Sequence, residues 1–268
     1  MNQNQEKTKK VVSTKNHKRE KNKTEKVDQT SNEIINFYEL DDVKKYAIDH
    51  VNPNYNFDTM PLKHPMRMVI CGASGSGKSN LLLNIIHSMS NTFEKILIFT
   101  QDKDEQLYNY LAGALPEDEI EIFEGIDSVI NYNFDNLDEM QHLIIFDDMC
   151  IEKESKQKNI CELFVRGRKM AKKCGCSVIY LTQSYFQVPP VIRKQMTALI
   201  LRKINGKRDA RAILSECAID ATTNQLMNLY ESCCNPDDIT SFLFIDFNAP
   251  EDKRFRYKFD TIINIKNF

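Results

Sequence analysis

Residues 66–86 read MRMVICGASGSGKSNLLLNII: an apolar run, a loop of glycine and serine, then apolar residues at helical spacing. No other stretch constrains the fold as tightly. The loop fits G-x-x-x-x-G-K-S as Gly72, Ala73, Ser74, Gly75, Ser76, Gly77, Lys78 and Ser79, with Asn80 following. Glycines let the backbone curl so that successive N–H groups face phosphate oxygens, and the N-terminus of the following helix adds positive potential. Such a loop works only between a buried strand and a helix, which demands an α/β sheet. Lys78 is expected to reach the β- and γ-phosphates of a nucleotide, and the Ser79 hydroxyl to ligate Mg²⁺.

The rest of the chain repeats that alternation. After MRMVI (66–70) come the strand candidates KILIF (95–99), EIEIF (119–123), HLIIF (142–146), SVIYL (177–181), ALILR (198–202) and SFLFI (241–245). Helical candidates fall at 78–89, 104–113, 156–173, 189–196 and 207–217, and FRYKFDTII (255–263) alternates like an edge strand. The fold class expected is α/β: a P-loop NTPase of the additional-strand, RecA-like type, with a mainly parallel central sheet flanked by helices. Residues 61–268 form the ATPase domain in this reading. Residues 1–32, poor in apolar side chains, are expected to be a disordered basic tail. Residues 33–60 are expected to be an adapter, with a short amphipathic helix around YELDDVKKYAIDHV ending before Asn52-Pro53.

A phosphate-bound magnesium ion needs a carboxylate from a neighbouring strand. In HLIIFDD four apolar residues bury a strand and deliver Asp147 and Asp148 to its C-terminal end, where open α/β sheets bind ligands. Asp147 is the expected metal ligand and Asp148 the residue that polarises the attacking water; a helix cap is the competing reading of Asp148. Gln183, just past SVIYLT, is placed to sense the γ-phosphate and orient that water, as in pumping and strand-separating NTPases. A turn role is its alternative. No N-K-x-D motif of GTPase switches occurs.

The net charge of −2 conceals segregation. Residues 101–140 carry twelve acids against Lys103 alone, and residues 166–211 carry twelve Lys or Arg against Asp209 alone. One face suited to a polyanion is one reading; pairing of the two regions, within or between subunits, is the other. Arg166 or Arg168 could reach a neighbouring subunit's γ-phosphate as a finger. Arg193, Lys194, Arg202, Lys203, Lys207, Arg208 and Arg211 could line a nucleic-acid surface, with Tyr185 and Phe186 touching bases or sugars. The eight cysteines lack the spacing of a zinc site and are expected to be free thiols. With no signal-like segment and no apolar run long enough to span a bilayer, a soluble intracellular protein without membrane contact is expected.

With these pieces placed, the blocks MVICGASGSGKS, LIIFDDM and VRGRKMAKKCGCSVIYLTQSYF resemble the poxvirus-type genome-packaging ATPases. These belong to the FtsK–HerA superfamily of large DNA viruses, virophages and Polinton-like elements. The resemblance spans roughly residues 60–260, with Lys169 standing where related proteins often show His. It implies ATP and Mg²⁺ as cofactors, a homo-oligomeric ring, double-stranded DNA as the substrate moved, and a capsid or portal vertex protein as a further partner. The setting implied is host cytoplasm or viral factory, with association to the virion. Two alternatives stand beside this motor: a nucleotide or small-molecule kinase, and a non-hydrolysing scaffold ordered by nucleotide. Topology separates the kinase, because many kinases place the metal-carboxylate strand beside the P-loop strand. The motor reading expects at least one strand between them.

Overall fold

Burial of apolar side chains on both faces of the central strands builds the architecture. In a computed structural model of the chain, residues 36–44, 54, 56–58, 60–217 and 221–268 are described. The chain divides into two units, residues 1–47 and 48–268. The first contributes a 3₁₀ turn at Phe37–Glu39 and a one-turn helix, α1 (Asp41–Lys44), with acids in its first turn and Lys44 Nζ 3.1 Å from Asp41 Oδ1. That turn falls within the expected adapter helix. The remainder of that helix, and the expected tail, lie outside the described residues.

The second unit runs β1 (Arg67–Cys71), α2 (Lys78–Ser88), β2 (Lys95–Thr100), α3 (Gln106–Ala114), β3 (Ile120–Glu124), α4 (Ile126–Asn131) and β4 (His142–Asp147). It continues through α5 (Lys158–Arg166), β5 (Cys176–Thr182), α6 (Pro190–Gln195), β6 (Ala198–Leu201), α7 (Lys207–Cys217) and α8 (Thr223–Cys233). It closes with β7 (Leu243–Asp246), β8 (Phe255–Tyr257) and β9 (Thr261–Ile262). Among the described residues these strands form one sheet in the order β3-β2-β4-β5-β1-β6-β7-β8-β9. The pairs from β3 to β6 are parallel, and β7, β8 and β9 add antiparallel.

Period-two alternation sorts the strand side chains between two cores. Met68 and Ile70, Leu143 and Ile145, and Ile179 and Leu181 pack with Leu82, Ile85 and Tyr108 of α2 and α3 on one face. Val69 and Cys71, Ile144 and Phe146, and Val178 and Tyr180 pack with residues of α4 to α8 on the other. Because the central strands are parallel and in register, with Cys71 opposite Thr182 and Asp147 opposite Leu181, their C-terminal ends share one edge. All polar groups delivered there meet on that edge.

The single edge strand expected over 255–263 is instead two, β8 and β9, which turn between them at Lys258 (φ 52°) and pair antiparallel. The strands from β1 to β7 follow the sequence reading closely. The helix expected over 156–173 does not: α5 stops at Arg166, and 3₁₀ turns occupy Gly167–Lys169 and Ala171–Lys173. The chain must reverse there to enter β5. Gly167 lies so close to the start of that strand that an added Cβ would sit 3.3 Å from the Cys176 carbonyl oxygen. Among the described residues no helix is long and apolar enough to cross a membrane.

Candidate active site

β1 delivers the glycine-rich loop to the C-terminal edge, where both neighbouring strands anchor it. The Gly72 N–H donates to the Thr182 carbonyl at the end of β5 (3.1 Å), and the Ala73 N–H to the Lys203 carbonyl just after β6 (2.8 Å). Ser76 N–H closes the curl onto the Ala73 carbonyl (3.1 Å). Gly72 has no room for a side chain: a Cβ would lie 2.6 Å from Ser76 Oγ and 2.8 Å from Arg202 Cβ. Gly77 takes the left-handed conformation (φ 83°) and starts α2 as an N-cap without a capping side chain. The first N–H groups of α2 are therefore left for an anion. Lys78 is buried, with its Nζ 3.4 Å from the Ala73 carbonyl, folded back over the loop; Ser79 and Asn80 occupy the first turn of α2.

β4 brings Asp147 and Asp148 to the same edge. Asp147 is buried, and its Oδ2 accepts a hydrogen bond of 2.6 Å from the hydroxyl of Tyr108 in α3. Burial pushes its carboxyl up to about 6, opposed by the Tyr108 hydrogen bond and by Lys78, and reinforced by Asp148. Asp148 follows in the left-handed region (φ 52°), and its side chain does not cap the 3₁₀ turn after it. Its Oδ2 accepts from Gln183 Nε2 at 2.8 Å, while its Oδ1 is buried without a partner. Gln183 therefore reaches across from β5 to β4, and neither a cap nor a turn absorbs either side chain.

Topology decides how these parts meet. β5 lies between β1 and β4, so one strand separates the phosphate loop from the two aspartates, and Gln183 follows directly on its last residue, Thr182. This is the intervening strand expected of the motor reading. The donor set fits a magnesium ion: a hydroxyl, Ser79, and a buried carboxylate, Asp147, that forms no ion pair among the described residues.

The basic residues separate into different roles. Arg166 and Arg168 sit at the opposite edge of the sheet, where Gly167 packs on Cys176 at the start of β5. The six steps from Cys176 to Thr182 put roughly 20 Å between them and the chain's own phosphate loop. Arg166 pairs with Asp135 (3.4 Å) and Glu162 (4.0 Å), and Lys172 with Glu139 (3.7 Å), so part of the basic segment meets the acidic one within the chain. Arg168 is exposed and forms no ion pair among the described residues.

Arg202 is not a surface cation. It is buried beside the loop, and its guanidinium donates to the Ile239 carbonyl. Burial lowers its pKa. Arg193 is bound to Glu216 through two contacts of 2.9 and 3.0 Å, and Tyr185 is buried with its hydroxyl on the same carboxylate. Tyr185 is thus unavailable to bases, whereas Phe186 remains 43 % exposed. Lys207 pairs with Glu231 at 3.0 Å. Lys194, Lys203, Arg208 and Arg211 are left without an ion pair among the described residues.

Sequence reasoning missed two contributors to the site, Tyr108 on Asp147 and segment 235–241 beside the loop. Tyr108 carries no motif, and segment 235–241 approaches the loop from the far side of β6. Ile239 of that segment packs so tightly on Gly77 that an added Cβ would lie 2.6 Å from its Cγ1. Residues 235–239 and 73–76 enclose a cavity of about 220 Å³. A larger cavity, about 840 Å³, lies at the other end of α2 around Met89, Phe93 and Tyr110 and holds none of the phosphate-site residues.

The family model described as Poxvirus A32 protein matches residues 54–245. The chain belongs to that family. The A32-family chain is 28% identical over 178 residues to the DNA packaging protein OPG160 of monkeypox virus, covering 63% of this chain and 57% of that protein. It matches OPG160 of vaccinia virus (strain Copenhagen) at 28% over 178 residues, covering 63% and 64%. The chain thus spans 57 to 64% of the length of these curated relatives. Among solved structures, the genome packaging NTPase B204 from Sulfolobus turreted icosahedral virus 2, in complex with AMPPCP, aligns with a TM-score of 0.50 at 14% identity. That alignment covers 72% of this chain and 97% of that one, a likeness of fold. For the A32-family chain, the site is therefore a P-loop edge with three strand ends contributing polar groups.

Proposed function

We propose that this chain is an ATP-hydrolysing motor that moves double-stranded DNA into a viral capsid as a homo-oligomeric ring. The observation that carries the reading is the strand β5 lodged between the phosphate-loop strand and the Asp147-Asp148 strand, with Gln183 held on Asp148. Membership of the A32 family supports it, as do relatives described as DNA packaging proteins. The fold likeness to B204, described as a genome packaging NTPase in complex with AMPPCP, is consistent with a nucleotide site here. A kinase reading is disfavoured by the same strand.

In this reading the loop N–H groups not already held by the Thr182, Lys203 and Ala73 carbonyls bind the phosphates, and Lys78 neutralises charge on the β- and γ-oxygens. Ser79 and Asp147 would hold Mg²⁺, which when bound adds positive charge at those oxygens. Asp148 takes the proton of a water whose oxygen bonds to the γ-phosphorus as the bond to the bridging oxygen breaks, leaving ADP and inorganic phosphate. Gln183 holds that water in line. Lys194, Lys203, Arg208 and Arg211 are the cations left to meet DNA phosphates.

The test is ATP turnover of the full chain measured in parallel without nucleic acid, with duplex DNA, with single-stranded DNA and with RNA. Duplex DNA should stimulate turnover most, and Lys78→Ala should abolish it. Turnover indifferent to nucleic acid in an assembled preparation would count against translocation. Binding of nucleotide without any turnover would favour the scaffold.

A further inference from the structure

One contact at the site belongs to no part of the hydrolysis described above. Tyr108 is fully buried in the first turns of α3, among the aliphatic side chains of the α2 face. A buried phenol needs a partner for its hydroxyl, and a buried carboxylate needs donors. Each supplies the other at 2.6 Å, across 39 residues of sequence. The distance is that of a charge-assisted bond.

The geometry has a directional consequence. Tyr108 takes one acceptor site on Oδ2 of Asp147, whereas Oδ1 has no hydrogen-bond partner among the described residues. A carboxylate free to rotate about its terminal torsion would present either oxygen, whereas a hydrogen bond from a packed ring fixes the plane. α3 follows β2, the strand next to β4, so the hydroxyl reaches Asp147 from the neighbouring strand–helix unit.

We propose that Tyr108 is a positioning residue for the divalent ion, fixing the orientation of the Asp147 carboxylate that would hold it. This rests on the reading of Asp147 as a metal ligand. Hydrogen-bond partners of metal ligands set affinity, and their loss typically costs about 10- to 100-fold. Tyr108→Phe keeps the ring and its packing and removes the hydroxyl alone.

The experiment measures binding of Mn²⁺ to the full chain with the non-hydrolysable analogue AMPPCP, by electron paramagnetic resonance of the free ion. Nucleotide affinity in EDTA and the thermal midpoint are measured beside it. Wild type and Tyr108→Phe are compared, with Tyr110→Phe as an exposed control on the same helix. The expected result is Mn²⁺ affinity about 10-fold or more weaker in Tyr108→Phe alone, with nucleotide affinity in EDTA unchanged. Equal Mn²⁺ affinity in wild type and Tyr108→Phe overturns the inference while leaving the metal site intact. An equal loss of nucleotide affinity in EDTA also overturns it, because the hydroxyl then supports the fold as a whole. Wild type that binds AMPPCP but no Mn²⁺ overturns both the inference and the assignment of Asp147.

Discussion

Gln183, one residue past β5, donates a hydrogen bond of 2.8 Å to Oδ2 of Asp148, one residue past β4. The two strands are adjacent and parallel, so the contact bridges neighbouring strand ends on the sheet edge that carries the phosphate loop. It leaves Oδ1 buried and without a donor. Replacing Gln183 with Ala removes the orienting donor but none of the phosphate contacts. Turnover should fall on the order of 10²-fold, the lower range for a positioned acid–base group, with nucleotide affinity nearly unchanged. Asp148→Asn is the matching probe, because Asn tolerates the left-handed backbone that Asp148 adopts at φ 52°. It should fold normally and bind ATP yet fail to turn it over. Steady-state kinetics beside equilibrium nucleotide binding decide both. A Gln183→Ala protein with full turnover would remove Gln183 from the mechanism.

Asp147 links the site to stability. Its folded carboxyl is raised from 3.8 to about 6, chiefly by burial. A raised acid favours the folded state while protonated. The contribution is therefore complete below pH 3.8 and lost as pH rises through about 6, amounting to on the order of 3 kcal/mol. Asp147→Asn removes the titration and keeps an acceptor for Tyr108. In EDTA, the variant and wild type should have similar unfolding free energies near pH 4. The variant should become the more stable protein by pH 7. Denaturant melts across that range check this, and parallel curves would refute it.

The phosphate loop was legible in the sequence because its chemistry dictates residue types: only glycine satisfies the contact at Gly72 and the backbone at Gly77. The aspartates were legible because four apolar residues before an acid describe a buried strand ending at an edge. Tyr108 was not, since YNYL in a helix looks like any amphipathic turn and its partner lies 39 residues away. Arg202 and Arg193 read as surface cations because a side chain's composition does not reveal whether a carbonyl or a carboxylate waits for it. The end of α5 was missed for a related reason. Past Gly167 the basic residues carry no apolar period, so nothing local marked the reversal that tertiary contact with Cys176 imposes. α8 did carry a signal, the capping box of Thr222 and Gln225.

Two glycines of the loop separate backbone strain from crowding. Gly75 has φ 70° and nothing within 4 Å of an added Cβ, whereas at Gly77, with φ 83°, an added Cβ would lie 2.6 Å from Ile239. Gly75→Ala should cost about 1–2 kcal/mol, the penalty of a left-handed L-residue alone. Gly77→Ala should cost more, and Ile239→Ala in the same chain should recover only the excess. Unfolding free energies of the three variants test this order. Equal costs for Gly75→Ala and Gly77→Ala would mean that Ile239 moves aside freely.

The two arginines offered by the sequence as fingers are distinguished by their partners. Both lie at the edge of the sheet opposite their own phosphate loop, so neither reaches it within one subunit. Arg166 is already engaged by Asp135 and Glu162, and Arg168 is exposed without an ion pair among the described residues. If a ring places this edge against the next subunit's site, Arg168 is the side chain available. Arg168→Ala should then lose turnover by about 10³-fold or more while retaining ATP binding, and Arg166→Ala should lose far less. Mixing gives the sharper result. Arg168→Ala subunits, which bind and could cleave ATP, should regain turnover when assembled with Lys78→Ala subunits that supply the intact arginine. Neither protein alone should be active. A mixture as inactive as its parts, in rings shown to contain both, would assign Arg168 to the surface and leave the finger to be found elsewhere.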